Sequence, residues 1–469
     1  MSSEAGSFRD PDSQVHRVDG RIIRVLTAQG RAGYDRLRTS GVLDRLIEDG
    51  LVVPTAELAL QGLDIDAPAG VEGWDLALEH DIVPMISYAH EWSFEQLRAA
   101  ALTHLEVVER ALGCGVTTAD GSTANVQFDG PRPAFIDVGS FVPARPGQPW
   151  PGYRQFCRQF LFPLLLSARI GVSHRPWLRG DPEGPTPTDT ARLLARRRLH
   201  DRDVLTHVRL HAWAEGKMSG PGGEVEAAAG DIDLQTPVVR KLRQSIEKLP
   251  TSDLASVWDG YGERSHYERA GLEAKERFVA EVLAAQTPTR VVDLGANDGR
   301  FSLLASAAGA FVAAIDADEV VVGSLWERER ARAGSTVLPL AADLSDPDPT
   351  AGWRGKERPA LLDRSRPDLV LALAVLHHLV ISANLPLTSV VEWLASIGAP
   401  VILEVPHRDD PMVQQLLAAK DRPDSFRYDL TAVEHDLTAV SFTVAHRLEL
   451  PGATRTLFHL EWGQTPISQ

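Results

Sequence analysis

Five side chains in the second half of this chain have types and positions suited to chemistry on a small molecule. Asp293, Asp316 and Asp343 each close or follow a short apolar run, and His377 and His378 close a fourth. A carboxylate at the end of a buried strand can accept hydrogen bonds from both hydroxyls of a ribose. Histidine has an ordinary pKa nearest neutrality, so it can take a proton from a hydroxyl or ammonium nucleophile. Two adjacent residues leaving a strand are expected to point to opposite sides. That gives His378 to the substrate and His377 to the packing. Glu404 ends Val401-Ile402-Leu403-Glu404 and is placed to bind or orient substrate. No histidine, cysteine or mixed metal-binding pattern is evident, and no metal is expected.

These residues need a sheet to hold them. Val291-Val292, after Pro288-Thr289-Arg290, reads as the end of a buried strand. Gly295 and Gly299 follow, and Phe301-Ser302-Leu303-Leu304-Ala305 opens a helical pattern. Strand, glycine-containing turn and helix make the start of a nucleotide-binding α/β unit. The glycines allow a tight turn and close backbone approach to a ligand. Residues 311–316, 336–343 and 368–376 are three further apolar strands at helix-length spacing. Open α/β sheets bind ligands at the carboxyl ends of their strands, where all of these residues fall. The expected fold class is α/β, with a Rossmann-like domain in the second half.

This order of acid-ended strands resembles the class I S-adenosylmethionine (SAM)-dependent methyltransferases. The resemblance implies SAM as cofactor, with Asp293 in the first acidic turn, Asp316 on the ribose and Asp343 near the adenine. It extends the cofactor site to Gly295, Asn297, Gly299, Ala317, Leu344 and Ala374. Asn297 stands where that family has its middle glycine. An acidic turn suits a cationic sulfonium better than it suits a phosphate. Lead-in helices often lid the cofactor in such enzymes, so Tyr261, Tyr267 and Lys275 are lid candidates.

The first half carries a different pattern. Residues 15–26 read as a hairpin with an Asp19-Gly20 turn. Leu51-Val52-Val53 and residues 74–81 look like further strands, and a helix is expected from Phe94 to Leu112. Asp120, Asn125 five residues on, a short hairpin and Asp137-Val138-Gly139 follow. They resemble the catalytic and metal-binding loops of protein-kinase-like and aminoglycoside-kinase-like folds. The departures are specific. Thr118-Ala119 precedes Asp120, no glycine-rich phosphate loop is visible, and no lysine occurs before Lys217. Only an arginine such as Arg24 could replace the strand lysine. The expectation is a degenerate kinase-like α+β domain without phosphotransfer. The aromatic stretch at 149–164 reads as helix packing, with a binding groove as the alternative.

Both halves together resemble a two-part methyltransferase family that includes rhizobial nodulation-protein-like methyltransferases. The matching stretches are Ile86-Ser87-Tyr88-Ala89-His90-Glu91-Trp92, the 120–128 loop, Phe135-Ile136-Asp137, residues 150–156 and 293–299, Gly352-Trp353, residues 373–379, and Asn384-Leu385-Pro386-Leu387. The family usually has lysine where this chain has Ala119. Three functions compete. One is methyl transfer to O, N or C of a small molecule, in specialised (natural-product) metabolism. Another uses the bound sulfonium as fixed positive charge for a cyclisation, such as azabicycle ring closure, or an elimination, with a small partner subunit. The third is a non-catalytic interaction protein, which the three acids oppose.

Length and composition set the frame. A chain of 469 residues has room for two domains. They are expected at 1–215 and 236–469, joined by a Gly/Ala-rich linker at 216–235. Residues 236–248 and 270–285 are expected as helical lead-ins to the second sheet. A formal net charge of -16 gives no support to a nucleic-acid surface. The run from Arg192 to Arg198 reads as a solvated helix face. Two cysteines far apart make no disulfide framework. The N-terminal residues are polar, and the longest apolar run, residues 160–170, is short and interrupted by Pro163. A cytoplasmic protein that does not enter the membrane is expected.

Overall fold

The apolar runs of the second half become the parallel core of a seven-stranded sheet. In a computed structural model, its strands are β10 (Arg290–Leu294), β11 (Phe311–Asp316), β12 (Val337–Ala341), β13 (Leu369–Ala372), β14 (Val401–Pro406), β15 (Phe442–Glu449) and β16 (Arg455–Trp462). The structure describes residues 2–4, 6–63, 65, 73–195, 208, 233–251, 269–440 and 442–463. The order across the sheet is β12-β11-β10-β13-β14-β16-β15. The first five are parallel, and β16 runs antiparallel to both β14 and β15. Strands buried on both faces read as unbroken apolar runs instead of alternating ones. Val291, Val292, Leu369, Val370, Leu371 and Ile402 are all at most 1% exposed.

The chain order reverses between β10 and β13. From β10 it proceeds outward through β11 to β12, then returns to the other side as β13 and β14. Such a switch point opens a crevice at the carboxyl ends of the two strands. In register, Asp293 lies opposite Ala314 on one side and Leu371 on the other. Pro339 sits in the edge strand β12, and a bulge between Val444 and His446 interrupts the opposite edge, β15.

The chain divides into two units. One comprises Met1–Leu254 with Ala351–Arg358, the other Ala255–Thr350 with Pro359–Gln469. The first holds an antiparallel sheet of five strands, β1 (Ser2–Ser3), β2 (Ser13–Val18), β3 (Arg21–Leu26), β4 (Thr55–Leu58) and β5 (Leu76–His80), ordered β1-β2-β3-β5-β4. Two short antiparallel pairs follow: β6 (Val116–Thr118) with β9 (Phe141–Pro143), and β7 (Val126–Asp129) with β8 (Arg132–Phe135). The expected first hairpin is there: Val18 pairs with Arg21 across Asp19 and Gly20, both at positive φ. The helix Phe94–Leu112 has the expected bounds, with Ser93 and Gln96 forming a capping box. Leu51-Val52-Val53 forms no strand; Val52 makes only an isolated bridge to Phe135.

The division departs from the expected boundary. The helix Gln235–Glu247, expected to lead into the second sheet, belongs to the first unit. Arg240 and Arg243 pair with Glu109, and Arg243 also with Glu106, on the long helix. Its apolar stripe of Val239, Leu242 and Ile246 is buried. The expected linker at 216–235 lies mostly outside the described residues. Trp150, Phe156, Phe160 and Phe162 are buried, the first three of them around His104, so the aromatic stretch is helix packing. No helix among the described residues is long and apolar enough to cross a membrane.

Candidate active site at the switch point

The turn after β10 is built by backbone geometry. Gly295 and Ala296 both donate their N–H to Ile315 O on β11, at 2.8 and 2.9 Å. Gly299, at φ +76, begins the helix Arg300–Ala307. A Cβ there would lie 2.6 Å from Leu325 Cδ1, a side-chain end that would have to shift, while the positive φ itself favours glycine. Asn297 adopts φ 48. Asparagine tolerates this left-handed region better than other non-glycine residues. The substitution of the middle glycine therefore keeps the turn a glycine would make. Asn297 N donates to Asp316 Oδ2 at 2.9 Å, and Asp318 N to Asp316 Oδ1 at 3.0 Å. The half-buried Asp316 thus pins the turn from the end of β11. Burial outweighs these hydrogen bonds and raises its pKa.

Across the crevice, β13 ends at Ala372 and Ala374 takes φ 62. A side chain on Gly295 would meet Val375 at 3.4 Å, so the two loops approach closely. Left-handed non-glycine residues on both sides of a switch point are a form of strain found at ligand sites. His377 is buried and His378 half-buried. Their rings do not diverge as two strand residues would: the centroids are 4.2 Å apart. The reason is that the strand has already ended. His377 precedes a π-helical turn, His378–Ser382, a feature frequent at functional sites. Burial, and then Arg455, pull the His378 pKa down to about 4.

Asp293 is 2% exposed and accepts the Ser302 hydroxyl at Oδ2, 2.6 Å away. Burial pushes its pKa up to about 6, against Ser302 and Lys275. Asp343 is exposed and accepts from Ser345 N and Oγ at 2.8 and 2.7 Å. Ala317 is exposed beside Asp316, and Leu344 is half-buried beside Asp343.

Two expectations change. Lys275 is no lid: it is 3% exposed and its Nζ lies 2.5 Å from Glu404 Oε2. Glu404 is fully buried and its other oxygen lies 3.2 Å from Arg455 Nη1, which makes it part of an ion network instead of a group presented to substrate. Arg455 Nε in turn lies 2.7 Å from Asp410 Oδ2. Tyr261 and Tyr267 lie outside the described residues. Sequence reasoning missed Ser302, Arg455, Asp410 and Tyr428. The Tyr428 ring is fully buried and its hydroxyl has no partner among the described residues. Nothing in local spacing marks these four.

The first unit brings its predicted residues together as well. Asn125 Nδ2 donates to Asp120 Oδ1 at 2.6 Å. Arg24, on β3, lies 2.7 Å from Asp137 Oδ1 and donates to Ser13 Oγ at 2.7 Å. Burial, and then Asp137, push the Asp120 pKa up to about 7.

No family model matches the chain. It is 34% identical over 466 residues to nodulation protein NoeA of Rhizobium meliloti, covering 97% of this chain and 95% of that protein. Solved structures similar to part of the chain include a magnesium protoporphyrin IX methyltransferase from Synechocystis with bound SAM. It is 18% identical, with a TM-score of 0.30, over 42% of this chain and 81% of that one. Another is the N-methyltransferase NodS from Bradyrhizobium japonicum, 12% identical, with a TM-score of 0.30, over 42% of this chain and 99% of that one.

Proposed function

The chain belongs to the family of the nodulation protein NoeA, and we propose that it is a SAM-dependent methyltransferase acting on a small molecule. One observation carries the reading: the switch point between β10 and β13 is flanked by the left-handed Asn297 and Ala374, with Asp293 and Asp316 at the strand ends. The residues fit the cofactor. Asp316 keeps lone pairs beyond its two backbone donors, and these can accept ribose hydroxyls. Asp343 stands at the end of the next strand for the adenine side. Asp293 offers a carboxylate to the cationic part. When bound, SAM supplies an electrophilic methyl on a positively charged sulfur.

The protein's own work is then alignment and proton removal. In-line transfer requires that nucleophile and methyl carbon be held together, and the turn after β10 and the π-helical turn are the elements that would hold them. His378, kept neutral by burial and Arg455, would take the proton from a hydroxyl, or from an ammonium to free the amine nucleophile, as a weaker base than an ordinary imidazole. Its partner His377 is buried and fixes the ring against which it packs.

The first unit is, in the same proposal, a kinase-like scaffold that does not transfer phosphate. The pairing of Arg24 with Asp137 supports this, because it neutralises the carboxylate that a metal would need.

Calorimetry tests the cofactor assignment. Asp316→Ala should weaken binding of S-adenosylhomocysteine by about 1.5–3 kcal/mol, the span for hydrogen bonds to a charged group. Equal affinity in variant and parent would refute it. Mass spectrometry of product formed with SAM then decides the reaction. A gain of one methylene mass supports methyl transfer; a new product with an unchanged SAM pool replaces it with the cyclisation or elimination reading.

A further inference from the structure

A buried chain of charge reaches the cofactor turn through helix packing. Lys275, on the helix Arg269–Gln286, lies 2.5 Å from Glu404 and 4.6 Å above the centroid of the Phe301 ring. The next residue, Ser302, holds Asp293 at 2.6 Å. Glu404 continues to Arg455 and Arg455 to Asp410, all four charged groups being at most 3% exposed. We infer that Lys275 is a positioning residue that keeps Asp293 ionised, so that a cationic ligand meets a carboxylate and not a carboxylic acid. The inference rests on the reading that Asp293 faces SAM.

The surroundings of Asp293 show why one lysine decides its charge. Burial disfavours the carboxylate, and Asp316 from β11 and Asp298 from the turn repel it. Ser302 from the helix Arg300–Ala307 and Lys275 oppose them, and Lys275 is the cation among these neighbours. Lys275 itself would lose its proton to burial without a counterion. Glu404 supplies the largest opposing effect, while Arg455 acts against it. Glu404 is thus the support of Lys275, and Lys275 the support of Asp293. Truncating Lys275 alone would leave the buried Glu404 with Arg455 as a remaining partner in this chain and would unbalance the network. Removing the pair together avoids this and isolates the effect on Asp293.

The test is titration of SAM, which carries the sulfonium charge, by calorimetry between pH 5.5 and 9, in the full chain. In the parent, affinity should rise with pH through about 6 and then level. In Lys275→Met/Glu404→Gln the rise should move above pH 7. At pH 7 the affinity should be lower by about twofold if the midpoint moves by about one pH unit and by about tenfold if it moves by about two, and it should recover toward pH 9. Lys275→Arg keeps the charge and should retain the parent profile. A double variant with the parent midpoint overturns the inference, and so does a loss of affinity equal at every pH, which a merely structural role would give. A parent that binds no SAM at any pH overturns the cofactor reading itself. Parent binding with an unmoved midpoint overturns this inference alone.

Discussion

Each unit holds a cluster of acids, one near Asp120 and one near Asp293, and burial raises the pKa of both acids. The clusters differ in what their backbones do. In the first unit Asp120 and Asp137 answer to side chains already present, Asn125 and Arg24. In the second, the carboxylates at the strand ends border two loops held in left-handed conformations, and Asp316 binds backbone N–H groups of one of them. Side-chain pairing closes a site upon itself. Backbone strain beside a crevice is retained where a ligand gains from the shape. The difference fits the proposal that places the chemistry in the second unit.

The largest expected effect would come from His378. His378→Ala should lower turnover by about 100- to 10,000-fold, while SAM affinity stays near the parent value. The parent rate should hold through pH 6.5 and fall only as pH drops through about 4, because burial and Arg455 favour the neutral ring. Full turnover in the variant would remove the catalytic distinction between the units.

A smaller effect separates them by stability. The raised pKa of Asp120 means that its contribution is present below the ordinary value of 3.8. That contribution is lost as pH rises through about 7. Asp120→Asn should therefore flatten the decline in urea midpoint between pH 4 and 8. At pH 8 the variant should exceed the parent by about 1 kcal/mol or more, since a tenfold change in proton affinity is worth about 1.4 kcal/mol. An unchanged pH dependence would show that Asp120 is not the group responsible.

The smallest effect concerns Tyr428. Its hydroxyl has no partner among the described residues, so Tyr428→Phe should cost no stability and gain about 1 kcal/mol, because an unpartnered buried hydroxyl is itself a cost. A loss in urea unfolding would show that the hydroxyl is bound within the fold, which would make the second unit as self-satisfied as the first.

The sheet and its acid-bearing strand ends were legible because doubly buried strands leave unbroken apolar runs and the turn between them needs glycine. The hairpin at Asp19-Gly20 was legible for a similar reason: both residues must take positive φ. The histidines were misplaced because Leu373-Ala374-Val375-Leu376 is apolar whether it extends or coils. The Lys275–Glu404–Arg455–Asp410 network was illegible. Glu404 and Arg455 meet only because β14 and β16 pair antiparallel, with Glu404 opposite Leu457 and Pro406 opposite Arg455. The helix Gln235–Glu247 shows the same limit. An amphipathic stripe announces a partner surface without saying which one.

Pro339 bears on how this protein behaves among copies of itself. Thr336 accepts from Val312 and Ala342 donates to Asp316, so the even-numbered residues around β12 bond inward to β11. Pro339 therefore turns its nitrogen away from β11, where an added strand would find no N–H donor. At the other end of the sheet the bulge beside Val444, with exposed His446, Arg447 and Glu449, breaks the register and adds polar and charged side chains. Proline on one rim, and irregularity with polar and charged side chains on the other, are devices that discourage edge-to-edge aggregation.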